Sequence, residues 1–195
     1  QAEDGIRDSV ASRGLGDVYK RQHIHYDLST MKIVKNAISD ELIGTLNKEI
    51  DILRAEEKWT FSNNNWNPHL YDGYAGTCLA AKVRDNMRIK ILGAIRKHLP
   101  FVKQDKYTLN YHYWLPYSGI QWHGDEDYVF GATLYLNDFD KKWGGLFLWQ
   151  NDQSEIRGEI PEAGKLVVVE SEMHSVTPLM YNAPARRAVQ IWGHK

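Results

Sequence analysis

The sequence contains a single cysteine, Cys78, so no disulfide can form within the chain. Cysteine-poor chains are typical of reducing compartments, and we therefore expect a cytoplasmic protein. No apolar run approaches the roughly 20 residues that a membrane-spanning helix requires, and the N-terminus lacks the apolar segment of a secretory signal. We accordingly expect no membrane partner.

Neither sign of charge dominates the sequence, since 24 basic and 25 acidic residues leave a net charge of -1. Nucleic-acid-binding proteins carry clustered Lys and Arg, and no long basic run occurs here. No nucleic-acid partner is therefore expected. Aromatic residues, by contrast, are frequent, with seven Trp and eleven Tyr among 195 residues. Such side chains commonly line cores and pockets.

The first 22 residues differ from the rest because they show no apolar periodicity. They resemble a translated sequencing-library adapter: residues 1–8 match a flow-cell primer and residues 12–22 match a transposase adapter. We interpret 1–22 as a non-native leader and expect an environmental bacterial or viral origin; a disordered basic leader is the alternative. The remaining length suits one domain, which we place at 31–195 with Met31 as the expected start.

Two amphipathic helices are predicted in the first half of this domain. Apolar residues recur at helical spacing across 40–56, and Ser39 precedes them as a potential N-cap. A second stripe repeats every four residues across 79–99. We expect these helices, within about 39–100, to support the core of the domain.

From residue 107 the apolar period changes from four to two, which predicts strands. Alternate residues from Tyr107 to Tyr113 are apolar and share one face, while His112 faces the other side and is interpreted as structural. Further short β-branched or aromatic runs follow, separated by turn signals, at 129–136, 146–149, 165–170 and 188–192. The pattern predicts a mainly β protein with N-terminal helices and a closed or sandwiched antiparallel sheet over about 107–193.

His123 and Asp125 lie two residues apart after an extended, aromatic-rich run. In a strand both would face the same side, but a His-x-Asp pair is frequent by chance and carries little information alone. With His174 downstream, two imidazoles and one carboxylate form the set found in non-haem Fe(II) oxygenases. An arginine at 186 or 187 would then hold the distal carboxylate of a co-substrate, because its guanidinium binds carboxylates in a bidentate manner.

Five motifs follow one another along this half of the chain. They are His-Gly-Asp at 123–125, Ala-Thr-Leu-Tyr-Leu-Asn at 132–137, Gly-Gly-Leu-Phe at 144–147, His-Ser-Val-Thr-Pro at 174–178, and Arg186 six residues before Trp192. In this order and content, residues 107–192 resemble the 2-oxoglutarate/Fe(II)-dependent dioxygenase superfamily, in particular its prolyl 4-hydroxylase-like branch. The resemblance implies a double-stranded β-helix, a cupin-like jelly roll with the iron at one mouth.

The resemblance assigns the metal ligands and one anion-binding residue. It implies His123, Asp125 and His174 as iron ligands, and Arg186 as the residue that binds the C5 carboxylate of 2-oxoglutarate. Arg187 is the alternative, because neighbouring residues of a strand point to opposite faces and only one of the two enters the barrel.

Two further residues match positions that lie near 2-oxoglutarate in relatives. Tyr113 stands ten residues before His123, and a core aromatic is its alternative interpretation. Thr177 resembles a position close to the co-substrate, although a strand threonine needs no such role. The resemblance therefore implies Tyr113 and Thr177 as candidate co-substrate contacts.

The implied reaction uses Fe(II), 2-oxoglutarate and O2, with ascorbate in support, to hydroxylate a C–H bond and release succinate and carbon dioxide. The expected substrate is a prolyl residue of a peptide or protein, or free proline. A demethylase of alkylated nucleic acid from the same superfamily is one alternative, and a non-catalytic jelly roll that binds a metal or small acid is another. The sequence leaves the oligomeric state open.

Substrate selection is expected to depend on two loops. The segment 57–77 is polar, aromatic and rich in Asn and Gly, which is typical of a long loop, and it is a candidate lid. An ordered surface loop without such a role is the alternative. The other loop covers 116–122, and Trp66, Trp122 and Trp143 are the candidate aromatic walls.

Overall fold

The structure, a computed structural model, describes residues 31–73 and 76–195. The adapter-like segment 1–22 lies outside the described residues. Within them the chain forms two α-helices, α1 (Asp40–Ala55) and α2 (Asp85–Ile95). The strands in chain order are β1 (Lys32–Val34), β2 (Thr60–Phe61), β3 (Cys78–Lys82), β4 (Tyr107–Trp114), β5 (Ile120–His123), β6 (Tyr128–Tyr135), β7 (Phe147–Gln150), β8 (Ile156–Glu159), β9 (Leu166–Val169), β10 (His174–Val176) and β11 (Arg186–His194).

The strands form two antiparallel sheets that pack face to face. The larger has seven strands in the order β1-β9-β6-β11-β4-β3-β2, and the smaller has four in the order β5-β10-β7-β8. Apolar side chains from both sheets share one core cluster, for example Val169 and Ala188 from the larger sheet with Phe147 from the smaller. This mainly β architecture with two helices agrees with the predicted jelly roll.

The helices cover the other face of the larger sheet. On α1, Leu46 and Ile50 are fully buried and pack in one cluster with Tyr111 and Val189 of the sheet. The helix begins as predicted, because the Ser39 hydroxyl accepts a hydrogen bond from the Leu42 N–H at 3.3 Å and satisfies one of the free N–H groups of the first turn. Neither helix of the described chain is long and apolar enough to span a membrane.

The prediction for the second helix was wrong over its first part. Residues Cys78–Lys82 form β3, which pairs with β2 on one side and with β4 on the other. Helix α2 begins only at Asp85. The four-residue apolar spacing continues through Leu79 and Val83, but backbone pairing to β4 overrides this local pattern.

The alternation along β4 was predicted correctly. Tyr107, Leu109 and Tyr111 are buried in the helix-facing cluster. Trp114, on the other face, is buried in the cluster between the two sheets. The strand therefore presents one set of side chains to the helices and the other set to the space between the sheets.

Candidate active site

A cavity of about 610 Å³ lies between the two sheets, lined by residues from β4, β5, β6, β10 and β11. Strand β11 runs near the centre of the larger sheet, between β6 and β4. It contributes Arg186, Gln190 and Trp192 to the cavity wall. These residues have even spacing because alternate side chains of a strand point to the same face.

His123, Asp125 and His174 come together at one wall of this cavity. His123 ends β5, His174 begins β10, and the two stand opposite each other in the pairing of these strands. Asp125 lies in the loop after β5, and its Oδ2 atom is 3.8 Å from His174 Nε2. One potential ligand atom from each of the three side chains lies within 4.8 Å of the others.

Hydrogen bonds fix the orientation of both imidazole rings. His123 Nδ1 lies 2.7 Å from the carbonyl oxygen of Gln121, and His174 Nδ1 lies 2.9 Å from that of Glu172. A carbonyl oxygen can only accept, so each Nδ1 carries the proton and each Nε2 keeps its lone pair for a metal. Burial, and next the neighbouring His174, lower the pKa of His123, which favours the neutral form that metals bind.

Gly131 of β6 leaves the space that the Asp125 carboxylate occupies. A Cβ atom at residue 131 would collide with Asp125 Oδ2. Any side chain at this position would therefore displace the carboxylate from the two histidines. The absence of a side chain here is a packing requirement of the candidate metal centre.

Arg186 is buried in the same cavity, and no acidic residue of the described chain pairs with it. Its side chain is 1% exposed, its Nη1 donates to the Gly145 carbonyl oxygen at 2.8 Å, and its guanidinium stacks 4.4 Å from the centre of the Trp114 ring. Within 31–73 and 76–195 the Nε atom has no hydrogen-bond partner, and no carboxylate pairs with the guanidinium. Burial lowers the pKa of Arg186. A buried, unpaired cation of this kind is costly unless an anion binds to it.

Tyr135 supplies a second donor beside Arg186. The residue is 1% exposed, its ring centre is 5.7 Å from the Arg186 guanidinium carbon, and its hydroxyl has no hydrogen-bond partner in the described chain. Burial raises the pKa of Tyr135, so the hydroxyl keeps its proton and can donate. Sequence reasoning did not single out Tyr135, although it lies within the quoted 132–137 motif.

Arg187 points to the opposite face of β11. Its Nη2 lies 3.0 Å from Asp51 Oδ1, and its Nη1 donates to Asn47 Oδ1 at 3.3 Å, so the side chain is held by α1. Of the two adjacent arginines, Arg186 lines the cavity and Arg187 does not.

Tyr113 and Thr177, which were predicted to contact 2-oxoglutarate, do not line the cavity. Tyr113 faces the helices, with the Arg54 guanidinium carbon 4.2 Å from its ring centre. The Thr177 hydroxyl accepts a hydrogen bond from the Leu146 N–H at 2.9 Å and continues the contact between β10 and β7. From β4 the cavity instead receives His112, which the sequence had indicated as structural, and Trp114.

The loop predicted as a lid contributes to the mouth of the cavity. Two short 3-10 turns, Ser62–Asn65 and Pro68–Leu70, bring Trp66 and His69 to the cavity wall. Residues 74–75 of this loop lie outside the described chain. Trp122 also lines the mouth, whereas Trp143 packs against Phe139 at 5.4 Å between ring centres, away from the cavity.

The donor set fits an Fe(II) ion and a dicarboxylate. Two neutral imidazoles and one carboxylate on one side of an ion leave coordination positions open for other ligands. The free donors of Arg186 and Tyr135 suit a carboxylate, which offers only acceptors. One cavity thus holds a candidate metal centre and a candidate anion pocket.

Comparison with known proteins agrees with this arrangement. The family model of the 2OG-Fe(II) oxygenase superfamily matches residues 98–194. No curated protein has a sequence that matches the chain.

Several solved structures share the fold. A prolyl-4-hydroxylase from Pseudomonas putida is 16% identical, with 86% of this chain and 94% of that chain covered and a TM-score of 0.65. A prolyl hydroxylase from Trichoplax adhaerens, in complex with a hypoxia inducible factor peptide fragment, is 14% identical over 86% of this chain and 84% of that chain, with a TM-score of 0.68. A non-heme α-ketoglutarate-dependent epimerase from nogalamycin biosynthesis is 13% identical over 85% of this chain and 78% of that chain, with a TM-score of 0.63. At these identities the likeness establishes the double-stranded β-helix fold.

Proposed function

Because the chain belongs to the 2OG-Fe(II) oxygenase superfamily, we propose that it hydroxylates a C–H bond of a prolyl residue in a peptide or protein, or of free proline. The observation that supports 2-oxoglutarate as the co-substrate is the buried side chain of Arg186. It combines a positive charge, an Nε atom without a hydrogen-bond partner among the described residues, and a place in the same cavity as the three candidate ligands. A dicarboxylate such as 2-oxoglutarate would satisfy both the charge and the free donor.

The side chains have separate tasks in this proposal. His123, Asp125 and His174 would hold the metal, and Arg186 and Tyr135 would bind the distal carboxylate. When bound, Fe(II) and 2-oxoglutarate supply the oxidation, in which O2, 2-oxoglutarate and the substrate C–H give succinate, carbon dioxide and the alcohol. Ascorbate is included as a supporting reductant.

The protein's own contribution is to orient the ligands and to exclude water. The carbonyl oxygens of Gln121 and Glu172 keep the Nε2 atoms of both histidines aimed into the cavity. Trp66 and Trp122 line the mouth, so a substrate that seats between them displaces water from the reacting bond.

The preference for proline rests on relatives of low identity and on the shape of the mouth. Two of the structural relatives are prolyl hydroxylases by name, whereas another is an epimerase. The aromatic residues Trp66 and Trp122 suit the apolar ring of proline. The exposed acids Glu126 and Asp127 also line the cavity, and their charge opposes a nucleic-acid phosphate backbone, which disfavours the demethylase alternative.

The substrate is tested by supplying candidates and analysing the products. The purified protein with Fe(II), 2-oxoglutarate, ascorbate and air is incubated with free proline, prolyl peptides or a methylated oligonucleotide, beside a His174→Ala control. Mass spectrometry is expected to find one added oxygen atom on proline only with the wild-type protein.

Prolyl substrates that gain no more oxygen than in the control would contradict the proline assignment. Formaldehyde release from the oligonucleotide would support the demethylase instead. Absence of any 2-oxoglutarate turnover would support a binding module.

A further inference from the structure

His112 is a buried histidine of the cavity wall that the proposed chemistry leaves without a task. It lies on β4, is 3% exposed and lines the cavity. Three tryptophans surround its ring, with centre-to-centre distances of 6.1 Å to Trp66, 6.1 Å to Trp114 and 5.7 Å to Trp192. It is not one of the three grouped candidate metal ligands.

The His112 ring is neutral and has unused hydrogen-bonding capacity. Burial, and next the Arg186 charge, lower the pKa of His112 to about 3. A neutral imidazole has one donor and one acceptor, and the described residues make no hydrogen bond to this ring. Because the ring lines the cavity, its nitrogens are available to a ligand that binds there.

The pairing of the strands places His112 beside the anion pocket. Ala188 of β11 stands opposite His112 on one side and opposite Tyr135 on the other. His112 and Tyr135 therefore flank β11 on the same face of the larger sheet, and both line the cavity. Arg186 lies two residues before Ala188 on the same face of β11 and lines the same cavity.

We propose that His112 forms the third side of the co-substrate pocket and donates a ring N–H to the distal carboxylate of 2-oxoglutarate, together with Arg186 and Tyr135. The inference rests on the proposed function. A carboxylate offers only acceptors, so a pocket for it requires several donors. One arginine already balances the single charge of the distal carboxylate. A neutral donor adds a hydrogen bond without burying a second positive charge.

The test compares variants that retain or remove the donor. His112→Gln keeps an N–H donor, His112→Phe keeps a ring without one, and His112→Met is a second apolar variant with an adaptable side chain. Each full-length protein is loaded with Mn(II), and its Kd for 2-oxoglutarate is measured by titration calorimetry. The loss of a hydrogen bond to a charged group predicts a Kd that is at least about tenfold higher for the Phe and Met variants. The Gln variant is expected to stay within about threefold of the wild type.

Two controls separate binding from folding. The Kd for Mn(II) without 2-oxoglutarate and the thermal unfolding midpoint are measured for every variant, and the Mn(II) Kd is expected to remain unchanged. His98→Phe alters a histidine of the turn after α2, outside the cavity lining, and should leave the 2-oxoglutarate Kd unchanged.

The outcomes distinguish this inference from the proposed function. A wild-type protein that binds Mn(II) but no 2-oxoglutarate would contradict the proposed function itself. If the wild type binds 2-oxoglutarate and a folded Phe or Met variant binds it equally well, only the role of His112 is overturned. Equal weakening of the Gln, Phe and Met variants would also overturn it, because the donor would then make no difference.

Discussion

Arg186 and Arg187 are adjacent in sequence, but their side chains are held in different layers of the protein. Arg186 donates to the Gly145 carbonyl oxygen inside the cavity, while Arg187 forms an ion pair with Asp51 of α1. The alternation of strand β11 separates them. The helix-facing arginine has an acidic partner, and the cavity-facing arginine has none in the described chain. The two residues therefore provide a matched pair of variants for the anion pocket.

Removal of His174 is expected to abolish tight metal binding. His174→Ala leaves two of the three grouped side chains, and we expect its affinity for Fe(II) or Co(II) to fall by at least about 100-fold. The measurement is a metal titration followed by Co(II) absorption under anaerobic conditions. His98→Ala, a change outside the cavity, serves as control and should bind as the wild type does. Equal affinity of the His174 variant would remove this residue from the metal centre.

Gly131→Ala is expected to weaken metal binding although no candidate ligand is replaced. The new Cβ would collide with the Asp125 carboxylate and push it away from the histidines. We expect the Kd for Co(II) to rise by at least about tenfold. A Kd within experimental error of the wild type would show that Asp125 need not lie against β6.

Gly93→Ala is the matched glycine control. Gly93 lies within α2, and a Cβ there would meet no atom within 4 Å. The substitution is expected to raise the free energy of unfolding by about 0.5–1 kcal/mol, because alanine loses less backbone entropy than glycine in a helix. Urea unfolding measures this change, and metal affinity should remain at the wild-type value. A loss of stability would indicate a contact on α2 that the structure does not contain.

Tyr111→Phe is expected to destabilise the contact between the larger sheet and α1. The Tyr111 hydroxyl donates to Glu49 Oε2 at 2.7 Å, and Glu49 is only 6% exposed. Burial and this carboxylate raise the pKa of Tyr111, so the phenol remains a donor. Loss of the donor leaves a buried carboxylate oxygen unsatisfied, which costs about 1–3 kcal/mol of unfolding free energy. Tyr181→Phe, at a residue 69% exposed, is the control and should change little in the same urea titration.

The sequence pattern correctly predicted β4 and the start of α1, but it did not predict strand β3. The period-two pattern from Tyr107 was sufficient for β4, and the N-cap at Ser39 was sufficient for the start of α1. Strand β3 was read as helix because apolar spacing through 79–83 resembled a helical stripe. Its identity depends on pairing with β4, which is remote in sequence.

The residues of the candidate site were also predicted only in part. His123, Asp125 and His174, the ligands that the resemblance implies, are brought together, although Asp125 lies in the loop after β5 and not in the strand. Tyr113 stands ten residues before His123, as the resemblance requires, but the face of β4 that borders the cavity is the one that carries His112 and Trp114. A one-residue difference exchanges the two faces of a strand. The alternation in the sequence separates His112 from Tyr113, but only the packing of α1 and of the second sheet decides which of the two faces borders the cavity.

The most direct test of the account is succinate formation from 2-oxoglutarate by the Arg186→Ala and Arg187→Ala proteins, with Fe(II), ascorbate, air and a substrate that stimulates turnover. The account predicts that kcat/KM for 2-oxoglutarate falls by at least about 100-fold for Arg186→Ala, because a bidentate, charge-assisted contact is lost. Arg187→Ala should retain wild-type turnover with only a small loss of stability. Full activity of a folded Arg186→Ala protein, or loss of activity confined to Arg187→Ala, would contradict the assignment of the anion pocket and with it the proposed active site.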